Sequence, residues 1–436
     1  MTVISPQSII DTLGTIVGRE SIQAWAEHPA KSIWQRALSP DTHPVAVVYP
    51  ASVAQIQAIM QAASSQGWRV LPLGSGTKLA WGGLGIADIL LSTAHLTQLI
   101  DHAAADMTVT AQAGISFQSL QDQLKAEQQF IPLNPIQPDQ ATLGGIASTR
   151  DTGSLRHRYG TIRDLCLGMQ FVRADGTLVK SGGRVVKNVA GYDLHKVLIG
   201  AWGTLGIITE LTLRVYPLPE HSQTWLMGGA SDRLAQLLPD LRGNSLMPTC
   251  LDLLSPDWLT STHLQGDLGL RVQFQGFRPA VQVQGKRLKQ LAQQAGVQIT
   301  EIPQPLAGLG AGNLGAGGLR AKFGLLPDQG VLGLNMILAE ITKLGLGGSL
   351  VFHWGAGIGE MQLLGDEPAL AKIVTIIRPL CQARGGFFTV LDAPLALKQS
   401  LDLWGYTGNA MALMGTIKQQ FDPKGLLSPQ RFVGGI

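Results

Sequence analysis

The chain has 436 residues, of which 45% are hydrophobic and 14% charged, with 53 glycines and a formal net charge of +3. Low charge with high apolar content excludes a disordered chain, the absence of a G-X-Y period excludes collagen, and scattered Lys and Arg leave no nucleic-acid footprint. The length implies roughly two or three domains, and the sparse charge hints at a face covered by a partner.

In chain order, the first six residues carry neither a basic nor an apolar leader, so no signal peptide is expected. Residues 45–49 read as a strand closed by Pro50. Ser52 is placed to cap a helix with apolar positions Val53, Ile56, Met60 and Ala63, ended by Gly67. A second strand follows at 69–73. Ser116 caps a helix with Phe117, Leu120 and Leu124 on one face. Asp175-Gly176 between two β-rich runs predicts a hairpin with a type I′ turn. Residues 207–216 form a long strand closed by Pro217 and Pro219. Beyond Pro219, helices near 232–238 and 281–294 with a strand at 270–274 suggest a small α+β unit. Residues 307–318 read as a linker. Helices at 367–383 and 410–420 and a strand at 387–391 complete the chain. No internal repeat is visible, and no apolar run reaches the ~20 residues of a spanning helix.

Three glycine-rich sites carry candidate chemistry. Gly74-Ser75-Gly76-Thr77-Lys78 directly follows a strand, where successive N–H groups can form a phosphate-binding nest; a plain tight loop is the alternative. Around Pro138, Thr142 or Gln140 can cap a short helix beginning at Leu143. There Gly144 and Gly145 would admit an anion at the helix N-terminus, or simply allow close packing. Gly203-Thr204-Leu205-Gly206-Ile207-Ile208 enters the long strand and by itself reads as a turn. Gly310-Ala311-Gly312-Asn313-Leu314-Gly315 matches G-x-G-x-x-G but follows no strand, so nicotinamide binding is not expected there. Cys166, Cys250 and Cys381 are too dispersed for a disulfide framework, a zinc ribbon or an iron–sulfur cluster, and a reducing compartment follows. Cys166 reads as inert core. The histidines show no metal-binding spacing, and His353 reads as an interior residue. Arg156, His157 and Arg158 read as a solvated loop, or alternatively as a phosphate or carboxylate contact.

The order and spacing of these sites resemble the FAD-binding domain of the vanillyl-alcohol oxidase / para-cresol methylhydroxylase family. The resembling stretch runs over about 41–219. It rests on Pro138 to Gly145, on Tyr159-Gly160 with Arg163-Asp164, and on Ala174-Asp175-Gly176. It continues through Lys187-Asn188-Val189-Ala190-Gly191-Tyr192-Asp193-Leu194 and Gly203-Thr204-Leu205-Gly206. The 187–194 segment looks like the E-subunit branch of bacterial glycolate oxidases. The ending Asp422-Pro423-Lys424-Gly425-Leu426-Leu427-Ser428-Pro429 is similar to the family's D-P-x-G-x-L-N-P.

The resemblance implies an α+β fold. An N-terminal helical segment (1–40) would precede a PCMH-type FAD-binding domain of two α+β subdomains (41–219). A small ferredoxin-like α+β cap (220–390) would follow, and a C-terminal segment (391–436) would pack back on the FAD domain. Gly74, Ser75, Gly76, Thr77 and Lys78 would contact the pyrophosphate; Pro138, Thr142, Leu143, Gly144 and Gly145 the pyrophosphate and flavin; Ser148 and Ser154 the flavin; Gly206, Ile207 and Ile208 would add backbone contacts. With no His or Cys at 74–85, non-covalent FAD is expected. Catalytic relatives carry an H-x-x-x-G-D-G-N-x-H metal signature. The nearest stretch here, Phe352-His353-Trp354-Gly355-Ala356-Gly357-Ile358-Gly359-Glu360, has one His and no Asp. The implied protein is the FAD-binding subunit of a glycolate (2-hydroxy acid) oxidase complex, beside a catalytic flavoprotein subunit and an iron–sulfur subunit. It would be cytoplasmic, with peripheral attachment at the inner membrane face through a partner. The alternatives are a self-sufficient FAD oxidase of a small hydroxy compound and a non-catalytic assembly subunit. Tyr192, His195 and Lys187 lie near the motif, without a spacing that assigns a base.

Overall fold

The computed structural model describes residues 5–184, 191–260, 262–303 and 317–436. The 187–190 part of the family segment, most of the expected linker and the Gly310–Gly315 match lie outside the described residues.

The N-terminal half is built on two sheets. The first has the order β1-β2-β4-β3 and contains β1 (Ile22–Ala24), β2 (Ala46–Val48), β3 (Val70–Leu73) and β4 (Ile89–Ser92). β2 and β3 each run parallel to β4. Parallel neighbours require a crossover, supplied by α2 (Val53–Gln66). Ser52 Oγ accepts from Gln55 N–H at its start, and Gly67 closes it at φ +76°. Its Ile56, Ile59, Met60 and Ala63 pack with Ile9 and Leu13 of α1 (Pro6–Val17) against one face of the sheet. Trp25, Trp34 and Leu38 cover the other.

The second sheet is antiparallel, with order β5-β6-β9-β7-β8, from β5 (Leu99–Ala103), β6 (Thr108–Gln112), β7 (Cys166–Val172), β8 (Leu178–Gly182) and β9 (Ile207–Arg214). Helices α3 (Phe117–Leu124) and α4 (Leu143–Thr149) bury Leu120, Leu124, Leu143 and Ile146 against it. Asp175-Gly176 does connect β7 to β8, but not by the expected type I′ turn. Such a turn needs positive φ at both central residues, and only Gly176 has it, at +83°. Asp175 Oδ1 instead accepts from Thr177 N–H, closing a wider loop.

From His221 to Asp392 the strands join one antiparallel eight-stranded sheet. Its first half is β10 (His221–Gly229), α5 (Ser231–Gly243), β11 (Cys250–Leu254), β12 (Leu268–Gly276), α6 (Arg278–Gln294) and β13 (Gln298–Ile302). Its second half is β14 (Gly318–Gly324), α7 (Gly330–Lys343), β15 (Gly347–His353), β16 (Ile358–Leu364), α8 (Glu367–Gln382) and β17 (Phe388–Asp392). Both halves are β-α-β-β-α-β units of ferredoxin-like type. The order β13-β10-β12-β11-β15-β16-β14-β17 sets them back to back across a β11–β15 seam. Thus the small unit expected beyond Pro219 is one of two, and the repeat invisible in sequence is plain in topology. All four helices lie over one face, where Leu270, Phe274, Leu334, Phe352 and Ile373 belong to a single core. The alternate residues Arg271, Asp252, His353, Glu360, Lys322 and Arg320 point to the opposite face.

The chain then returns to the first sheet. Helix α9 (Met411–Phe421) leads to residues that hydrogen-bond along β3: Val70 N–H donates to Leu426 O and Ser428 N–H to Val70 O. Among the described residues no helix is long and apolar enough to cross a membrane.

Candidate functional site

The three glycine-rich sites meet in one cleft. It is lined by Gly74, Ser75, Gly76, Thr77, Lys78, Thr142, Gly144, Gly145, Ser148, Gly206, Ile207 and Ile208. Glycine is required where segments touch: a Cβ on Gly74 would overlap Thr142 Oγ1, and one on Gly76, at φ +81°, would overlap the Trp34 indole. Ser75 Oγ donates to Gln140 O and ties the first site to the second. The N–H groups of Ser75, Gly76 and Thr77 have no partner among the described residues. Three unpaired donors on one turn make an anion-binding concavity.

The second site behaves differently from expectation. Leu143 N–H donates to Ile115 O (3.0 Å), Gly144 N–H to Ala113 O (2.7 Å) and Gly145 N–H to Thr142 Oγ1 (3.2 Å). Thr142, not Gln140, is the cap. The start of α4 therefore contributes a smooth glycine surface rather than free donors. Lys78 also departs from the expected phosphate contact: its ammonium turns to Asp151 (3.1 Å) and Ile136 O (3.2 Å).

Pro138, Leu143 and Ser154 do not line the cleft. Leu143 is buried in the core beside the second sheet, and Pro138 O accepts from Gln118 N–H. Sequence reasoning missed Trp202 and Arg431, which do line it. Trp202 sits at φ +56°, a conformation uncommon for a bulky residue and one that clusters at functional sites. Arg431 comes from the C-terminal return, two residues past the D-P-x-G-like ending. Burial pushes its guanidinium down to about 10. Its Nη1 and Nη2 donate to Gly83 O and Leu79 O, which fixes the cation beside the turn; with three N–H groups unpaired among the described residues and a glycine floor, the arrangement fits the two phosphates of a dinucleotide.

Beside the cleft, the polar face of the eight-stranded sheet is sealed against the FAD-domain-like half. Arg320 stands with its guanidinium carbon 5.7 Å from the Trp81 ring centroid, and Lys322 Nζ is 5.9 Å from it. Lys322 pairs with Glu360 at 3.4 Å. Burial alone raises the Glu360 carboxyl, but Lys322, His353 and Arg320 outweigh it and lower it. Arg320 has only a 3.5 Å contact with Gln362 Oε1 and no ion pair among the described residues, and burial lowers its pKa. Farther along the same face, Asp252 accepts from Arg271 Nε (2.9 Å) and Nη2 (2.7 Å) and pairs with His353 Nδ1 at 2.6 Å. Burial would raise Asp252, yet Arg271 and His353 hold it well below the ordinary carboxylate range. Ser154 closes this group, accepting from Arg271 Nη2 at 2.7 Å.

Other candidates fall elsewhere. Tyr192 is 91% exposed, and His195 is buried against Ser181 Oγ; neither lines the cleft, and Lys187 lies outside the described residues. Of the basic cluster, Arg158 is exposed, whereas Arg156 and His157 are half-buried, with pKa values lowered chiefly by that burial, and a Cβ on Gly355 would overlap the His157 ring. Cys166 is buried, its thiol pushed up to about 12 by that burial.

Comparison with known proteins identifies a flavin-binding domain in this part of the chain. Residues 44–182 match the model of the FAD binding domain. Glycolate oxidase subunit GlcD of Bacillus subtilis strain 168 is 30% identical over 229 residues, covering 52% of this chain and 49% of that protein. A D-2-hydroxyglutarate dehydrogenase of Xanthomonas citri is 32% identical over 211 residues, covering 48% and 44%. The chain thus spans about half the length of the curated relatives it matches. Among solved structures, p-cresol methylhydroxylase with substrate bound superposes with a TM-score of 0.76 at 16% identity, over 98% of this chain and 96% of that one. The 4-ethylphenol oxidase of Gulosibacter chungangensis does so with 0.76 at 14%, over 99% and 98%. The fold is therefore the α+β fold of these oxidases, and FAD is the cofactor.

Proposed function

We propose that this chain is the FAD-carrying subunit of a complex that oxidises glycolate or a related small 2-hydroxy acid, alongside a catalytic flavoprotein subunit and an iron–sulfur subunit. The complex would work in the cytoplasm or at the inner membrane face. The observation that carries the reading is Arg320: a buried guanidinium that forms no ion pair among the described residues, standing over Trp81 beside a second cation, Lys322. Burying an unpaired charge costs free energy that an incoming carboxylate recovers, and a guanidinium suits a carboxylate in both charge and geometry. The curated relatives, a glycolate oxidase subunit and a hydroxyglutarate dehydrogenase by name, point to the same class of substrate.

In this reading, Gly74, Ser75, Gly76, Thr77 and Arg431 hold the diphosphate. Gly144, Gly145, Ser148, Gly206, Ile207 and Ile208 bound the rest of the cofactor. FAD is held without a covalent bond, in keeping with a cleft that no His or Cys lines among the described residues. Bound FAD supplies a two-electron acceptor; the protein supplies position and charge. The flavin either takes the electrons from the acid directly or relays them between subunits. The division into domains at about 40, 219 and 390 is part of the same proposal, supported by the sheet that begins at His221 and ends at Asp392.

The test is an anaerobic titration of the FAD-loaded chain with glycolate and with oxalate, followed in the visible band. A saturable change with either acid, lost in Arg320→Met, supports the reading. A flavin band indifferent to every small 2-hydroxy and 2-oxo acid overturns acid binding by this chain, and a flavin that also exchanges no electrons with co-purified partner subunits overturns the whole reading.

A further inference from the structure

Two buried cations hold the segment that continues the Gly74–Lys78 turn, and only Arg431 lines the cleft. Arg431 is 4% exposed, and Lys398, on the short helix Leu395–Ser400, is 5% exposed. Arg431 Nη2 donates to Leu79 O, and Lys398 Nζ to Ala80 O and, at 3.0 Å, to Arg36 O. Neither cation forms an ion pair among the described residues. The carboxylate that attracts both, Asp392, is already bridged to Arg36 at 3.0 Å. Three cations thus share one carboxylate. The charged groups facing Lys398 are Asp392 at the end of β17, Arg36 from the N-terminal segment and Arg431 from the C-terminal return; Arg320 of β14 acts on Asp392 as well. Like charges crowded out of water repel, and the one that can release its proton relieves them. Burial pushes the Lys398 ammonium down to about 7; Asp392 pulls it up, and Arg431 and Arg36 push it down again. Arg431, held at about 10, keeps its charge through neutral pH. The amine and the ammonium of Lys398 can both serve the same two carbonyls, since each has at least two N–H donors. Its charge can therefore change while its anchors stay.

We infer that Lys398 is a proton-uptake site for the cofactor: with the diphosphate seated against Arg431, Lys398 takes a proton from solvent, so that this chain binds FAD together with a proton and holds it more tightly at or below neutral pH than above it. The inference rests on the placement of the diphosphate at Arg431 in the reading above. The diphosphate brings negative charge to a cluster that holds an excess of positive charge, which removes the reason for Lys398 to be neutral. The proton goes to the lone pair of Nζ, and no other bond is made or broken. Lys398 acts through Arg431 and the 79–83 segment and is a positioning residue. The sign follows from linkage: the FAD-bound chain holds more protons than the free chain, so affinity falls as pH rises above about 7. By reciprocity, the bound cofactor raises the proton affinity of Lys398 by the same factor.

The experiment is a calorimetric titration of FAD into the flavin-free full chain, in buffers of different ionisation enthalpy between about pH 7 and 9, which counts the protons exchanged on binding. Uptake approaching about one proton is expected, with a Kd that rises by up to about tenfold per pH unit. ADP-ribose, which keeps the diphosphate and lacks the flavin, should take up the same proton. Lys398→Met should still bind FAD, with no proton exchanged and a Kd flat across the range; Lys398→Gln serves the same purpose if the methionine variant folds poorly. A wild type that binds FAD without taking up a proton overturns the inference. So does uptake that persists in a folded Lys398 variant, or uptake with FAD that bound ADP-ribose does not reproduce. Arg431→Gln separates this inference from the reading beneath it. If that variant binds FAD at least about tenfold more weakly while the wild type exchanges no proton, the inference falls and the diphosphate placement stands. If it binds FAD as the wild type does, the placement falls and takes the inference with it.

Discussion

The cofactor cleft and the polar face of the eight-stranded sheet both bury polar groups, by opposite means. In the cleft, the Ser75, Gly76 and Thr77 N–H groups have no partners among the described residues, and glycines keep the floor bare. On the sheet, most charges are paired within the protein: Arg271 with Asp252, Lys322 with Glu360, Arg36 with Asp392. The few exceptions then become informative. An under-satisfied polar group in a well-paired interior marks where another molecule is meant to sit, and Arg320 is such a group: among the described residues it has no ion pair and only a 3.5 Å contact with Gln362 Oε1.

The largest expected effect separates the two regions by stability. Phe352 is fully buried and stacks on Phe323 at 5.9 Å. Phe352→Ala should cost about 3–5 kcal/mol, seen as a lower urea midpoint, while folded protein keeps its full flavin complement. Flavin loss from the folded fraction would show that the sheet and the cleft are not separable. The converse variant is Gly74→Ala, whose methyl group overlaps Thr142 Oγ1. Its stability should fall by only about 1–3 kcal/mol, yet it should purify without a flavin band. A yellow Gly74→Ala protein would mean that the cleft yields where the glycine argument says it cannot.

A third test probes the buried charges that fasten the two regions together. Lys398 donates to Arg36 O and Ala80 O, and its ammonium is pushed down to about 7 by burial, against the pull of Asp392. Its folded pKa lies below the unfolded value of 10.5, so the unfolded chain binds a proton that the folded chain does not. Stability should therefore rise with pH between about 7 and 10.5 and be lost as pH falls toward 7. In Lys398→Met that slope should flatten in a series of thermal melts. The smallest effect is Ser52→Ala, which removes the cap on α2 and should cost ~1 kcal/mol without touching either region.

Local features were readable from the sequence. Ser52, its 3- and 4-residue apolar spacing and Gly67 give α2 because cap, face and stop all lie within one helix. The glycine-rich segments were readable as a set because their spacing matches a known cofactor domain. What they do individually was not: whether Gly144 N–H is free depends on Ala113, in another segment. The repeat escaped notice because a ferredoxin-like unit needs only apolar alternation and turn positions, which two dissimilar sequences can both meet. The strands near the seam also hide their alternation, since all of 250–254 is buried. Asp252 and His353 are 101 residues apart, and no local pattern could place them 2.6 Å from each other. Ser154 belongs with them for the same reason, rather than in the cleft where the motif put it.

The back-to-back seam also sets an order of events during synthesis. The glycine-rich segments of the cleft all precede residue 209, while His353 reaches Asp252 only after the second half of the sheet has been made and docked. A chain emerging N-terminus first can thus shape most of its nucleotide cradle well before the buried Arg271–Asp252–His353 cluster exists. A chain stalled before β15 meets β11 would carry most of the cradle without that cluster.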